Sequence, residues 1–437
     1  MRDFSIIWGL LERPQKLLCL FTALLAVTVS FSELVSIGSV VPVVMALTNE
    51  EGLSGLPDVF HSFAKVLGLD LSEVTTTHVL VGFVSALLVS TSLRLLLLFL
   101  QTRLAHSIGA EIGKTLFLKN LNQDLGAISE QSSAELIAAV SQKSNVVVYN
   151  VILPLLLLIS SCLVLFIVFL ALFATFPVAA IGIILFILFI YLLIALPVRV
   201  FLRRNGSALN KNANIVVNKV QDAFGAIREI ILYDLVSSLT VAYASSDQKM
   251  RRAQAANQFL GGAPKVIVEF VAITTLLVAA ALYVDRANRS AEFIIPLLAA
   301  AAFGAQRMLP IAQQVYLSWS QITGGWDVLT AVTLMLKRAS GEPPKFSKTS
   351  SISLDKELSI VGGAIGYQDT EILRNINLKI ERGAWVGILG PSGSGKSSLA
   401  NVLIGLKPLT QGVLKVDDKE LRGEQHHAWR DIIALVP

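Results

Sequence analysis

The sequence predicts an α-helical polytopic membrane domain of six transmembrane helices with long cytoplasmic extensions, followed by a partial α/β domain of the P-loop kind. Three observations predict this. The 437 residues are 54% hydrophobic and 15% charged, with mean hydropathy +0.67, whereas soluble chains run at about 45–50% apolar and about 25% charged. The apolar excess sits in long runs before residue 320, and the remainder has ordinary soluble composition. Residues 390–397 read Gly-Pro-Ser-Gly-Ser-Gly-Lys-Ser, a match to G-x-x-x-x-G-K-[ST]. The expected domains are 1–338 in the membrane, a linker at 339–357, and a soluble part at 358–437.

In chain order, Phe4, Ile7, Trp8 and Leu11 fall on one helix face and predict an interfacial entry helix over 4–11. A span needs about 20 apolar residues to cross roughly 30 Å of hydrocarbon. Six runs meet or approach this: 17–47, 78–104, 146–172, 176–202, 264–284 and 292–318. Prolines at 42, 154, 177, 197, 264 and 296 fall at or near their ends, where they cost least. Between the first two runs, Val59, Phe60, Phe63, Val66 and Leu67 line one face of a helix over 57–69, either resting on the outer membrane surface or part of an ordinary loop. Residues 105–145 and 205–262 carry few prolines and a helical period, as expected of helices running on beyond the bilayer.

Charge sets the orientation. Lys and Arg gather at the N-terminus and in 105–145 and 199–252, whereas the 48–77 loop carries Glu50, Glu51, Asp58, Asp70 and Glu73 against Lys65. Positive-inside places both termini and the soluble part in the cytoplasm of an integral, multi-pass protein, expected in a bacterial inner membrane. The net charge of +5 is thereby explained without nucleic acid. The N-terminus lacks the shape of a cleavable signal. Cys19 and Cys162 lie in apolar runs and suggest neither a disulfide nor a metal site.

The 339–357 stretch is rich in Ser, Lys and Pro and reads as a linker. Three strand-like runs follow: Leu358–Gly362, Ile376–Ile380 and Trp385–Gly390. The third leads into Gly390, Pro391, Ser392, Gly393, Ser394, Gly395, Lys396, Ser397 and Ser398. The glycines let backbone N–H groups turn inward onto phosphate oxygens, and Lys396 adds charge for the β- and γ-phosphates. The Ser397 hydroxyl suits Mg²⁺, and a helix opening there aims its positive end at the same phosphates. The site predicts binding of ATP with Mg²⁺.

Tyr367, Leu373–Gly383, the phosphate loop, Leu403–Gly412 and Trp429–Pro437, behind six apolar runs, together resemble an ABC exporter half-transporter from end to end. The resemblance implies that Tyr367 stacks on adenine; alternatively it packs within the sheet. It implies coupling helices within 121–131 and near 222–234, with Asp124 and Asp222 as members or as solvated charges. In the family a glutamine follows the Val-Pro at which this sequence stops, and beyond it lie the signature, the Walker B Asp, the catalytic Glu and the switch His. The expectation is therefore a chain that stops before these groups and does not hydrolyse ATP efficiently by itself. His426 and His427 do not match the switch position.

The run from Phe31 to Val44 and the 57–69 helix look like the lipid-linked oligosaccharide flippase branch. Ionisable residues inside spans normally face a cavity or the bundle interior. Glu33, Arg94 and Arg307 are such residues, with Arg94 about 24 Å and Arg307 about 22 Å inward from the outer ends of their spans. They are candidates for a lipid pyrophosphate arriving from the inner leaflet; otherwise they snorkel or pair within the bundle. The leading expectation is an ATP-driven flippase or exporter of a lipid-like substrate, acting as a homodimer or with an intact half-transporter. The alternatives are a peptide or drug exporter of the same fold, a non-hydrolysing subunit or inactive fragment, and, more distantly, a membrane-anchored P-loop kinase.

Overall fold

The computed structural model describes residues 2–48, 75–122, 133–175, 177–287, 291–338, 352–367, 370–421 and 425–436. Its contacts divide into two units, Met1–Lys114 with Ile137–Met335, and Thr115–Leu136 with Leu336–Pro437.

The described residues of the first unit are almost all helical. It opens with α1 (Arg2–Leu10), α2 (Arg13–Gly38) and α3 (Val40–Thr48). Glu12 caps α2 in a reciprocal box with Gln15, and Pro14 sits in the first turn, where a missing N–H costs nothing. The run expected as one span over 17–47 is two helices, broken at Ser39. Pro42 supplies no N–H for the Gly38 carbonyl, so the ladder stops there.

After α4 (Thr76–Leu121) come α5 (Ser133–Ala138) and α6 (Ser144–Val147), each followed by a π-helical turn, at Ala139–Lys143 and Val148–Ile152. Then come α7 (Leu153–Thr175), α8 (Pro177–Gly225), α9 (Ile227–Leu232), α10 (Val236–Ala287) and α11 (Ala291–Arg338). The second π turn sits at Pro154, whose ring denies the Asn150 carbonyl its usual partner.

Among the described residues, Arg13–Val44, Thr76–Leu121 and Leu136–Ala171 are long and apolar enough to cross a membrane. The runs at 177–202, 264–284 and 292–318 fall inside α8, α10 and α11. The outer helix expected at 57–69, residue 176, Asp124 and the linker residues 339–351 lie outside the described residues.

Packing follows one-sided burial. On α2, Leu25, Ala26 and Val29 are buried against Leu97, with Leu93, Leu100 and Leu163 at the edge, while Leu17, Leu20 and Leu24 are exposed. A helix apolar on both faces in this way suits a lipid-facing position. Val164, Val168 and Ile311 bury together against Leu34, Ile37 and Met308. The helix α8 runs along α10, with Asn205 Nδ2 donating to Asn257 Oδ1 at 2.9 Å. Where α8 crosses α11 the backbones touch: a Cβ on Gly206 would lie 2.3 Å from the Gly324 carbonyl oxygen.

The second unit carries the sheet. The strands are β1 (Glu357–Tyr367), β2 (Thr370–Glu381), β3 (Gln411–Val416) and β4 (Lys419–Glu420), in the order β2-β1-β3-β4 with every pair antiparallel. Leu358, Ile360, Ile365, Leu414 and Val416 bury one face under Val402 of α12 (Lys396–Leu403) and Trp429 of α13 (Gln425–Arg430). Trp429 Nε1 donates to Leu403 O at 2.9 Å and so caps the end of α12.

One expectation is corrected here. The predicted strand Trp385–Gly390 is unpaired, with Trp385 and Leu389 fully exposed. An apolar run becomes a strand only when a neighbour offers its backbone groups, and among the described residues none does.

Candidate functional site

The loop from Gly390 to Lys396 is built by backbone conformation. Gly390, Gly393 and Gly395 have φ of 155°, 83° and 89°, values that L side chains rarely adopt. Space constrains two of them further. A Cβ on Gly390 would come within 2.8 Å of Ser394 Oγ, and one on Gly395 would press Ile372 and Leu373 at 3.0 Å. Ser394 N donates to Pro391 O at 3.3 Å, closing the turn.

Gly395 is the N-cap of α12, which begins at Lys396, one residue earlier than expected. The Lys396 ammonium bonds the loop's own carbonyls, Gly390 O at 2.9 Å and Pro391 O at 2.7 Å. The side chain thus folds over the loop and brings its charge above the glycines. A glycine-lined turn, a lysine across it and a helix N-terminus behind it fit a nucleotide polyphosphate. The loop N–H groups and Lys396 would hold phosphate oxygens, and the Ser397 hydroxyl would take Mg²⁺.

Around the loop, Lys407 and Thr410 tie the end of β1. Lys407 Nζ donates to Gly366 O at 2.7 Å, and Gly366 N donates to Thr410 Oγ1 at 2.8 Å. Those ties fix the backbone beside Tyr367, which ends β1 paired with Thr370; the Tyr367 side chain lies outside the described residues. At the far end, the Asp417-Asp418 turn joins β3 to β4 with both residues at positive φ. The Asp417 carboxylate accepts N–H bonds from Asp355 and Lys356 at 2.6 Å and Glu357 at 2.9 Å. The Asp355 N–H bond foremost, with those of Glu357 and Lys356 and the Lys356 charge, holds its carboxyl below the ordinary aspartate range.

In the membrane unit, the three ionisable residues singled out by the sequence meet. Glu33 of α2, 1% exposed at its side chain, accepts from Arg307 of α11, whose Nε and Nη2 both lie 2.8 Å from Oε2. The same Nη2 is 3.1 Å from Ser90 Oγ on α4. Arg94, also on α4 and 57% exposed, approaches the other carboxylate oxygen at 3.8 Å. Glu33 Oε1 and Ser36 Oγ are buried without a hydrogen-bond partner. The cluster joins three helices and carries one net positive charge. N-terminal to Arg94, a shallow depression of about 380 Å³ on α4 is lined by Val84, Leu87, Leu88, Thr91 and Ser92. Thr91 and Leu87 stand one and two turns before Arg94, on its helix face.

Ser90, Ser36, Lys407, Thr410 and Asp417 escaped the sequence reading. Ser90 had a usable signal, being one turn from Arg94 on α4. The second expected coupling segment contains α9, with Ile231, Leu232 and Tyr233 exposed and Asp222 exposed at the end of α8. Among the described residues, no group of three or more His, Cys, Asp or Glu could hold a metal ion.

Comparison with known proteins gives two family matches. Residues 16–306 match the ABC transporter transmembrane region, and residues 373–437 match the ABC transporter family. Similar curated proteins include the multidrug resistance-like ATP-binding protein MdlB of Buchnera aphidicola, 32% identical over 94 residues, which are 21% of this chain and 16% of that protein. Another is the Nod factor export ATP-binding protein I of Azorhizobium caulinodans, 40% identical over 67 residues, 15% of this chain and 21% of that one. The matches thus span about a sixth to a fifth of the length of these two relatives. Among solved structures, a bacterial Atm1-family ABC exporter with ATP bound superposes with a TM-score of 0.68 at 13% identity, covering 96% of this chain and 70% of that one. At that identity the likeness shows the fold.

Proposed function

Since this chain belongs to the ABC transporter family through its transmembrane region, we propose that it is the membrane and ATP-binding part of an exporter that moves a lipid-like substrate. The observation that carries the nucleotide part is the loop of left-handed glycines with Lys396 folded across it. Gly390 to Ser398 cradle the ATP phosphates, Ser397 takes Mg²⁺, and Tyr367 stacks on the base. Bound ATP supplies the phosphoryl charge and the free energy that the conformational cycle uses. The chain's own contribution is a loop whose glycines hold left-handed backbone and whose Lys396 charge is held across it.

Six spans, α2 with α3 counting as the first, carry the substrate path, with termini and sheet unit in the cytoplasm of a bacterial inner membrane. Two copies, or one copy with a different half-transporter, complete the path. The lipid-like substrate is supported by the charged cluster at Glu33, Arg94 and Arg307, with an apolar depression on the helix that carries Arg94, an arrangement that suits an anionic head with an apolar tail. A lipid-linked oligosaccharide is the member of that class we favour. Drug export is the second reading, favoured by the likeness to a multidrug resistance-like protein.

Photolabelling of the purified chain with azido-ATP tests the first part, with labelling expected in the native chain and lost in Lys396→Ala. Transfer of a fluorescent polyprenyl-pyrophosphate glycan in proteoliposomes tests the second. Transfer of amphipathic dyes without any transfer of the glycan replaces the lipid reading with the drug reading.

A further inference from the structure

The two arginines of the membrane cluster are not equivalent. Arg307 is committed: its Nε donates to one oxygen of Glu33 at 2.8 Å, its Nη2 donates to Ser90 Oγ at 3.1 Å while pairing with the same Glu33 oxygen, and its side chain is 18% exposed. Those are charge-assisted hydrogen bonds of full strength. Arg94 is not committed. At 3.8 Å from Oε1 it attracts the carboxylate without a hydrogen bond, and more than half of its side chain is exposed. Oε1 itself is buried and accepts no hydrogen bond. The carboxylate therefore has one oxygen held by Arg307 and one facing a loosely held cation.

We propose that Glu33 is a resident counter-anion that competes with the transported molecule's phosphoryl group for Arg94. The anion-handling part rests on the function proposed above. Arg307 and Ser90 hold Glu33 in place as positioning residues, and Arg94 is the arm that changes partner between Oε1 and an incoming phosphoryl oxygen. Glu33 thereby sets the affinity of the site and gives Arg94 somewhere to return when the anion leaves. A counter-anion has a signature that a merely structural carboxylate lacks: its removal tightens anion binding.

The test uses the full chain carrying Lys396→Ala, so that the phosphate loop does not compete, titrated separately with inorganic pyrophosphate and geranylgeranyl pyrophosphate. Glu33→Gln is expected to tighten binding by about three- to tenfold, the equivalent of one weak ion pair. Arg94→Gln weakens binding by at least as much and leaves the unfolding temperature unchanged. Arg307→Gln strands a buried charge and lowers the unfolding temperature. Glu33→Gln/Arg307→Gln recovers that temperature and binds at least as tightly as the parent, which keeps the test open if Arg307→Gln fails to fold.

Unchanged or weaker binding in Glu33→Gln at an unaltered unfolding temperature overturns the proposal, as does binding by neither probe. Pyrophosphate binding with the expected variant pattern but no binding of geranylgeranyl pyrophosphate upholds Glu33 as counter-anion and removes the lipid reading. Binding of both probes with indifference to Glu33→Gln leaves the lipid reading and removes this one.

Discussion

Asp417 does two jobs that pull its backbone and side chain in different directions. Its φ of 47° makes the tight β3–β4 turn, while its carboxylate gathers the three N–H groups that lead into β1. Its carboxyl is held below the ordinary range in the folded chain, so the unfolded chain binds the proton more tightly. The stability this adds is fully present above the unfolded pKa of about 4 and falls away as pH drops through that value toward the folded one. Asp417→Asn keeps the tolerance for positive φ and removes the charge. Chemical unfolding followed from pH 6 down to pH 3 is expected to show the variant less stable at the upper end and the two converging at the lower. Trp429 is the other single side chain with a readable cost. Trp429→Phe keeps the apolar ring and loses the bond to Leu403 O, for about 1 kcal/mol in the same unfolding measurement.

The secondary-structure elements divide into those that local sequence specifies and those that partners specify. The helical character of 105–121 and 205–262 was legible because a helical period is a local property, and these stretches fall in α4, α8, α9 and α10. The turn at Gly390–Gly395 was legible because its glycine spacing is a backbone requirement. Trp385–Gly390 was misread because a β-branched apolar run is only half of a strand. The π turns before and after α6 left no composition signal apart from Pro154. The α8–α11 crossing was equally silent, since a glycine in a helix does not announce which neighbour it admits. Gly206→Val puts side-chain atoms where the Gly324 carbonyl stands. A loss of about 1–3 kcal/mol is expected in thermal unfolding of the detergent-solubilised chain, with Gly262→Val, which meets nothing, as the control.

For the molecule as a whole, Glu33 and Arg307 are 274 residues apart, and only the assembled bundle brings them together. The sequence marked each as costly in a membrane and went no further, since cost does not identify a partner. Orientation is the whole-chain property that charge alone predicts. Alkaline phosphatase fused after residue 60 is expected to be active, and fused after residue 437 inactive; the reverse pattern inverts the topology.

The first helix of the chain is held by the last part of the bundle. Asp3 Oδ1 accepts from Thr333 Oγ1 at 3.1 Å across 330 residues, and Phe4 packs on Trp326 with ring centroids 6.0 Å apart. A ribosome adding about 5–20 residues per second needs roughly 15–65 s to make that distance. For that interval Asp3 and Phe4 lack the hydroxyl and the ring that hold them in the finished fold. The bilayer beside the translocon is the apolar phase within reach, so the nascent α1 waits on lipid until α11 arrives to claim it.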